Sequence, residues 1–72
     1  MQVYVQAKSK KSINERLAAG QQVTAVEHKL GDETCHRLTE LPKGTVIKVW
    51  EKLAGGSPYA KSYGTWNGKK VV

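Results

Sequence analysis

The sequence predicts an α+β fold in which one short helix packs on a small antiparallel sheet of about five strands. Three observations support this fold: an alternating strand pattern at the N-terminus, a helix-capping pattern directly after it, and several extended runs separated by turn residues. An SH3-like small β-barrel, with the helix reduced to a loop, is the alternative. The 72 residues form a single domain over 1–72, because two halves would each be too small to bury a core.

The first strand is predicted at Gln2–Lys8, the N-terminal run of the chain. Its apolar residues Val3, Val5 and Ala7 alternate with polar side chains, as in a strand with one buried face. Tyr4 alone breaks the polar face of this strand.

A short helix is predicted after this strand. Ser12 and Glu15 have the spacing of a capping box, so the helix should begin at Ser12 or nearer Ser9. Gly20 stands where a left-handed C-terminal cap is expected. A helix of about two turns is not stable alone and must lie on the sheet. Its predicted inward-facing side chains are Ile13 and Leu17.

Four further strands are predicted, each bounded by turn residues. The run Thr45–Lys52 is rich in β-branched residues and carries apolar side chains on both faces, which favours a central strand. Asn67–Gly68 is the dipeptide favoured in tight hairpin turns, so residues 69–72 should form a short edge. The predicted strands are Gln22–Leu30, Thr34–Leu38, Thr45–Lys52 and Tyr59–Trp66, and the turns between them are Gly31–Glu33, Leu41–Gly44 and Ala54–Pro58.

The net charge of +6 is concentrated at the two ends of the chain. Residues 1–14 and 53–72 contain no acid, whereas acids and bases balance in between. If the fold brings the ends together, they form one positive face suited to phosphate-bearing partners. The alternative is a solvated surface whose charge serves solubility. The lysines of the two ends are Lys8, Lys10 and Lys11, and Lys61, Lys69 and Lys70.

Aromatic and basic residues alternate in the C-terminal half of the chain. In extended strands, Lys48, Trp50 and Lys52 share one face, and Tyr59, Lys61 and Tyr63 share another. If these faces coincide, the rings can stack on bases while the ammonium groups neutralise phosphates. This pattern predicts a single-stranded nucleic acid as ligand.

The alternative for the aromatic residues is a place in the core. The chain has no Phe, so Trp50 and Trp66 are candidates to fill its interior. Tyr59 and Tyr63 are predicted to be exposed, because small residues alternate with them and can fit under the helix. These small residues are Ala60, Ser62 and Gly64.

The histidines and the lone cysteine invite a metal or catalytic interpretation, which the sequence does not favour. Cys35 and His36 are adjacent and so point to opposite faces of a strand, and no paired-cysteine motif completes a zinc site. Cys35 is instead predicted to be a buried or half-buried thiol. A small ribonuclease using His28 or His36 as an acid or base is a third-ranked hypothesis.

The cysteine content and the hydropathy of the sequence predict the cellular compartment of the chain. With one cysteine no internal disulfide can form, which favours a reducing, cytoplasmic setting. No apolar run approaches the roughly 18 residues of a membrane span. Residues 1–7 are too short and too polar for a signal-peptide core. No membrane partner, metal or cofactor is therefore predicted.

The order of the first elements resembles the start of DNA-binding antitoxins of the Phd type. A strand, a capped helix ending in Leu17, Ala18, Ala19 and Gly20, and a Val-rich strand carry this resemblance. It covers under half of the chain and ends after Leu41, where a long strand and an aromatic hairpin replace the expected helix. It assigns no residue a role.

The leading hypothesis is a small, non-enzymatic nucleic-acid-binding domain, with DNA or RNA as partner. The alternative is a protein-binding inhibitor or accessory module from a phage or mobile element, whose basic face meets an acidic protein surface. The oligomeric state stays open. The predicted nucleic-acid-binding residues are Lys8, Lys10, Lys11, Lys48, Trp50, Lys52, Tyr59, Lys61, Tyr63, Lys69 and Lys70.

Overall fold

A computed structural model describes the backbone of residues 1–52 and 58–72, and the side chains of residues 1–50 and 61–72. Its one α-helix and five strands confirm the predicted α+β fold. The predicted Gly-rich connection at 54–57 lies outside the described residues. The elements are β1 (Gln2–Gln6), α1 (Lys10–Ala18), β2 (Thr24–Lys29), β3 (Asp32–Arg37), a 3-10 turn (Leu38–Glu40), β4 (Val46–Lys52) and β5 (Pro58–Thr65).

The five strands form one mixed sheet in the order β3-β2-β1-β4-β5. The prediction of an antiparallel sheet is wrong at one pairing, because β4 runs parallel to β1. The segment between β3 and β4 crosses the sheet, so that β4 enters beside β1 in the same direction. Within the described residues β3 and β5 are edges, so the sheet is not closed into a barrel. As predicted, β4 is an interior strand.

The core lies on one face of the sheet, under α1. Val3 and Val5 of β1 pair in register with Ile47 and Val49 of β4, and all four are buried. Ile13 of α1 is also fully buried, and Leu17 packs against the same cluster, as predicted. Burying each such side chain contributes roughly 1.5–3 kcal/mol. The core is completed by Val23, Ala25, Leu38, Leu41, Trp66 and Val71.

The two ends of α1 are capped by different means. The Ser9 hydroxyl accepts a hydrogen bond from the backbone N–H of Ser12 at 3.1 Å, so the helix begins one turn before the predicted capping box. At the other end Gly20 has φ of +79° and donates to the Leu17 carbonyl, while Gln21 donates to the Arg16 carbonyl. This pair of bonds is a Schellman cap and confirms the prediction for Gly20.

Two turns differ from their predicted form. The β2–β3 hairpin turns on Leu30 and Gly31 alone, both with positive φ, so that Asp32 begins β3 rather than belonging to the turn. The C-terminal turn spans residues 67–70, because the Asn67 side chain accepts hydrogen bonds from the backbone N–H groups of Lys69 and Lys70. This turn leads to a single bridge between Trp66 and Val71.

Candidate functional site

The face of the sheet opposite α1 is called the open face here, because no described element covers it. Strand register places one row of residues across it, from the β3 edge to the β5 edge. The row consists of Cys35, Val26, Tyr4, Lys48 and Tyr63. Since successive strand residues alternate between faces, the neighbours of these residues point to the helix side.

Lys48 lies in this row between two tyrosine rings. Its Nζ is 5.2 Å from the ring centroid of Tyr4 and 5.2 Å from that of Tyr63. The ammonium group also donates to the Tyr4 hydroxyl at 3.4 Å. Both distances to the rings are within the range of cation–π attraction. Tyr63 remains 56% exposed, so the Tyr4–Lys48–Tyr63 cluster presents aromatic surface to solvent.

His28 extends the cluster toward β3. Its ring meets Tyr4 edge-on, with centroids 5.1 Å apart and an angle of 75° between the planes. Its Nδ1 lies 3.8 Å from the Glu33 carboxylate, and both side chains are exposed. Arg37, farther along β3, is exposed and has no acidic partner among the described side chains. Among the described side chains, the open face thus combines the rings and ammonium of the cluster with the Arg37 guanidinium.

The register brings together only part of the predicted aromatic and basic group. Lys48 and Tyr63 are direct cross-strand partners, so the predicted faces of β4 and β5 coincide at this position. Trp50 follows on the open face and is half-buried, with its Nε1 buried and unpaired among the described atoms. Lys61 is exposed in β5. The side chains of Lys52 and Tyr59 lie outside the described residues.

Tyr4 is the residue of the cluster that sequence analysis missed as a ligand-binding residue. It interrupts the polar face of β1, and this interruption was the available signal. Its partner in the sheet could not be inferred, because the parallel β1–β4 pairing that sets Tyr4 beside Lys48 was not predicted.

The two acid-free ends of the chain meet on the helix side. The Asn14 side chain donates to the carbonyl of Val71 and accepts from its N–H, each at 2.8 Å. A Cβ at Gly64 would lie 2.7 Å from Lys10 Cδ, so the Lys10 side chain lies over β5. We call the lysines of the two acid-free ends, Lys61 apart, the basic end: Lys8, Lys10, Lys11, Lys69 and Lys70.

The Lys10 side chain and the Tyr4–Lys48–Tyr63 cluster lie on opposite faces of the sheet. Gly64 faces α1, whereas the preceding residue Tyr63 faces away from it. Of the lysines at the basic end, Lys11 approaches an acid, with Nζ 4.0 Å from Glu15 Oε1 on an exposed surface. The other lysines of this group form no salt bridge with the acidic side chains that the structure describes. Three small residues of β5 were predicted to lie under the helix, and this prediction is confirmed for Gly64.

The histidine and cysteine side chains are divided between the two faces. Cys35 is exposed on the open face, so the prediction of a buried or half-buried thiol is wrong; β3 is an edge strand with no described element over it. His36 points to the helix side, where its Nε2 lies 2.9 Å from Glu27 Oε2. His28 and His36 therefore lie on opposite faces of the sheet. No group of three metal-binding side chains occurs among the described residues.

No protein-family model matches the chain, and searches of curated proteins and of solved structures give no match. Over residues 1–52 and 58–72, no helix has the length and apolar character needed to cross a membrane. The candidate site therefore rests on the geometry of the open face.

Proposed function

We propose that this chain is a non-enzymatic domain that binds single-stranded nucleic acid on the open face of its sheet. The observation that carries the proposal is the Tyr4–Lys48–Tyr63 cluster, in which an ammonium is 5.2 Å from each ring centroid on an uncovered surface. A surface of this kind offers flat rings to bases and a positive charge to phosphates.

Base stacking supplies the first part of the interaction. An aromatic ring stacked on a base contributes about 1–3 kcal/mol by alanine substitution, and every base has a suitable face. Sheet surfaces that carry aromatic residues on neighbouring strands are a general means of holding unpaired bases. Duplex DNA hides these faces, so the exposed ring of Tyr63 favours an unpaired strand as the ligand.

Phosphate neutralisation supplies the second part. Lys48 supplies a positive charge within the cluster, and the net charge of +6 attracts an anionic strand over a longer range. Because β5 is an edge of the sheet, a strand lying across Tyr63 can continue around that edge toward Lys69 and Lys70. Bases would thus contact the Tyr4–Lys48–Tyr63 cluster, and phosphates would contact the lysines of the basic end. A reducing, cytoplasmic setting, proposed from the single cysteine, suits such a ligand.

Fluorescence anisotropy with labelled twelve-nucleotide oligo-dT and oligo-U tests this function. Tyr63→Leu should weaken binding roughly five- to hundred-fold, because it removes one stacking ring. Tyr63→Phe keeps the ring and should bind like the unaltered chain. Lys48→Met should also weaken binding, whereas Lys43→Met, which removes an exposed lysine of the loop before β4, should have a small effect. Absence of binding to both oligonucleotides at low salt, or equal binding by Tyr63→Leu, would contradict the proposal.

A further inference from the structure

The outer edge of β3 is a regular strand edge that no described element covers. We propose that it pairs with β3 of a second copy of this chain, so that two five-stranded sheets join into one. This inference concerns the edge of the sheet and does not depend on what the open face binds.

The backbone groups that point outward from β3 follow from its pairing with β2. The two-residue turn makes Lys29 and Asp32 a hydrogen-bonded pair, and the Leu38 N–H donates to the Val23 carbonyl at 2.9 Å in the same register. Even-numbered residues of β3 therefore direct their N–H and C=O groups to β2. The residues whose backbone groups point away from the sheet are Glu33, Cys35 and Arg37.

Only one two-fold register uses all three outward residues on both copies. A two-fold axis at Cys35 sets Cys35 opposite itself and Glu33 opposite Arg37 of the other copy. This arrangement gives three hydrogen-bonded pairs and about six hydrogen bonds, since each such pair exchanges two. An axis at Thr34 instead sets Glu33 opposite Cys35 and leaves Arg37 beyond the paired strand.

The side chains of this register are complementary in charge. Glu33 and Arg37 are both exposed, and Arg37 has no acidic partner among the described residues of its own chain. In the dimer each Glu33 carboxylate lies opposite an Arg37 guanidinium, so two cross-strand ion pairs flank the axis. Opposite charges at directly paired positions stabilise a sheet, and like charges there destabilise it.

The β3 edge also lacks several of the features that keep strand edges apart, and its outward charges, Glu33 and Arg37, are the complementary pair of this register. It has no proline, no lysine and no bulge, and its six residues pair with β2 without a register shift. The other edge of the sheet differs. There β5 contains a register shift opposite Val49 and Trp50, and Thr65 exchanges backbone hydrogen bonds with Val72. Self-pairing is therefore favoured at β3.

Joining at β3 makes the open faces of the two copies continuous. Helices of both copies then lie on the same side, because the two-fold axis is perpendicular to the sheet. With neighbouring strands about 4.8 Å apart, the two Tyr4 residues are separated by five spacings, or about 24 Å. The dimer thus presents two aromatic clusters on one surface.

Crosslinking through Cys35 tests the dimer, because the register places the two copies of this residue at the axis. Their Cα atoms should be about 5.5 Å apart. Bismaleimidoethane, a short crosslinker for thiols, should convert the purified chain to a covalent dimer in a concentration-dependent way. The control variant Cys35→Ser/Lys69→Cys carries an equally exposed thiol in the C-terminal turn and should crosslink far less. Equal crosslinking of the two proteins would overturn the proposal.

Charge reversal tests the register itself. Glu33→Arg and Arg37→Glu should each weaken the dimer roughly ten-fold, since both ion pairs become like-charge pairs. The double variant Glu33→Arg/Arg37→Glu restores opposite charges across the axis and should dimerise like the unaltered chain. Sedimentation equilibrium measures these affinities, and circular dichroism confirms that each variant is folded. Failure of the double variant to recover dimerisation would contradict the assigned register.

Discussion

The side-chain amide of Asn14 forms two hydrogen bonds with the backbone of Val71, each 2.8 Å long, across 57 positions of sequence. In one bond the amide nitrogen of Asn14 donates to the Val71 carbonyl, and in the other the amide oxygen of Asn14 accepts from the Val71 N–H. This contact joins the first turns of α1 to the C-terminal segment. It brings the acid-free N-terminal and C-terminal segments of the chain together.

Replacing Asn14 by Ala should destabilise the fold by about 2 kcal/mol, because it leaves a part-buried N–H and C=O of Val71 without partners. Urea unfolding monitored by tryptophan fluorescence measures this change. Asn67→Ala is the matched control, since Asn67 also accepts two backbone hydrogen bonds but in an exposed turn. The loss for Asn67→Ala should be smaller, and a larger loss would contradict this account of the junction.

Gly64→Ala should also destabilise the chain, by roughly 1–3 kcal/mol. The added Cβ would lie 2.7 Å from Val71 Cγ1 and 2.9 Å from the Val72 carbonyl oxygen, so the C-terminal segment must move. Thermal unfolding measures the effect. Ser62→Ala, on the same face of β5, removes an oxygen and adds no bulk, so it should change stability little. A Gly64→Ala variant as stable as the unaltered chain would mean that β5 and the C-terminal segment pack less closely.

Replacement of Tyr4 by Leu should weaken oligonucleotide binding as Tyr63→Leu does, because both rings flank Lys48. The expected loss is again that of one stacked base, about 1–3 kcal/mol. Tyr4→Phe keeps the ring but loses the hydroxyl that accepts from Lys48, so it separates the two contributions. Isothermal titration calorimetry can measure both variants. Full affinity in Tyr4→Leu would restrict the binding surface to β4 and β5.

Salt dependence should distinguish the two parts of the proposed interface. Neutralising Lys69 and Lys70 with Gln should reduce the slope of log K against log salt concentration by about 1.4, since each phosphate contact on a single strand contributes about 0.7. Tyr63→Leu should lower affinity at every salt concentration while leaving that slope unchanged. An unchanged slope in the Lys69→Gln/Lys70→Gln variant would remove the basic end from the interface.

Local sequence patterns predicted the individual elements of the fold. Alternating apolar residues marked β1, and Ile13 and Leu17 marked the buried side of α1, because each follows from short-range periodicity. Gly20 was recognisable as a helix cap for the same local reason. The parallel β1–β4 pairing was not predictable in this way, since it depends on where the chain crosses after β3.

The candidate site shows the same division. Lys48 and Tyr63 were identified because they lie on strands adjacent in sequence, whose antiparallel pairing is common. Tyr4 reaches the same cluster through the parallel pairing and was therefore missed. The ends of the chain do meet, but on the helix side, and sequence periodicity could not show that the rings would lie on the other face. Cys35 is exposed because β3 is an edge strand, which strand patterns alone do not reveal.

The most direct test of the central claim is a titration of the isotope-labelled chain with a short single-stranded oligonucleotide, followed by amide chemical shifts. The account predicts that the largest shift changes occur at Tyr4, Lys48 and Tyr63 and continue around the β5 edge to Lys69 and Lys70. Changes confined to α1, or no changes at low salt, would contradict it.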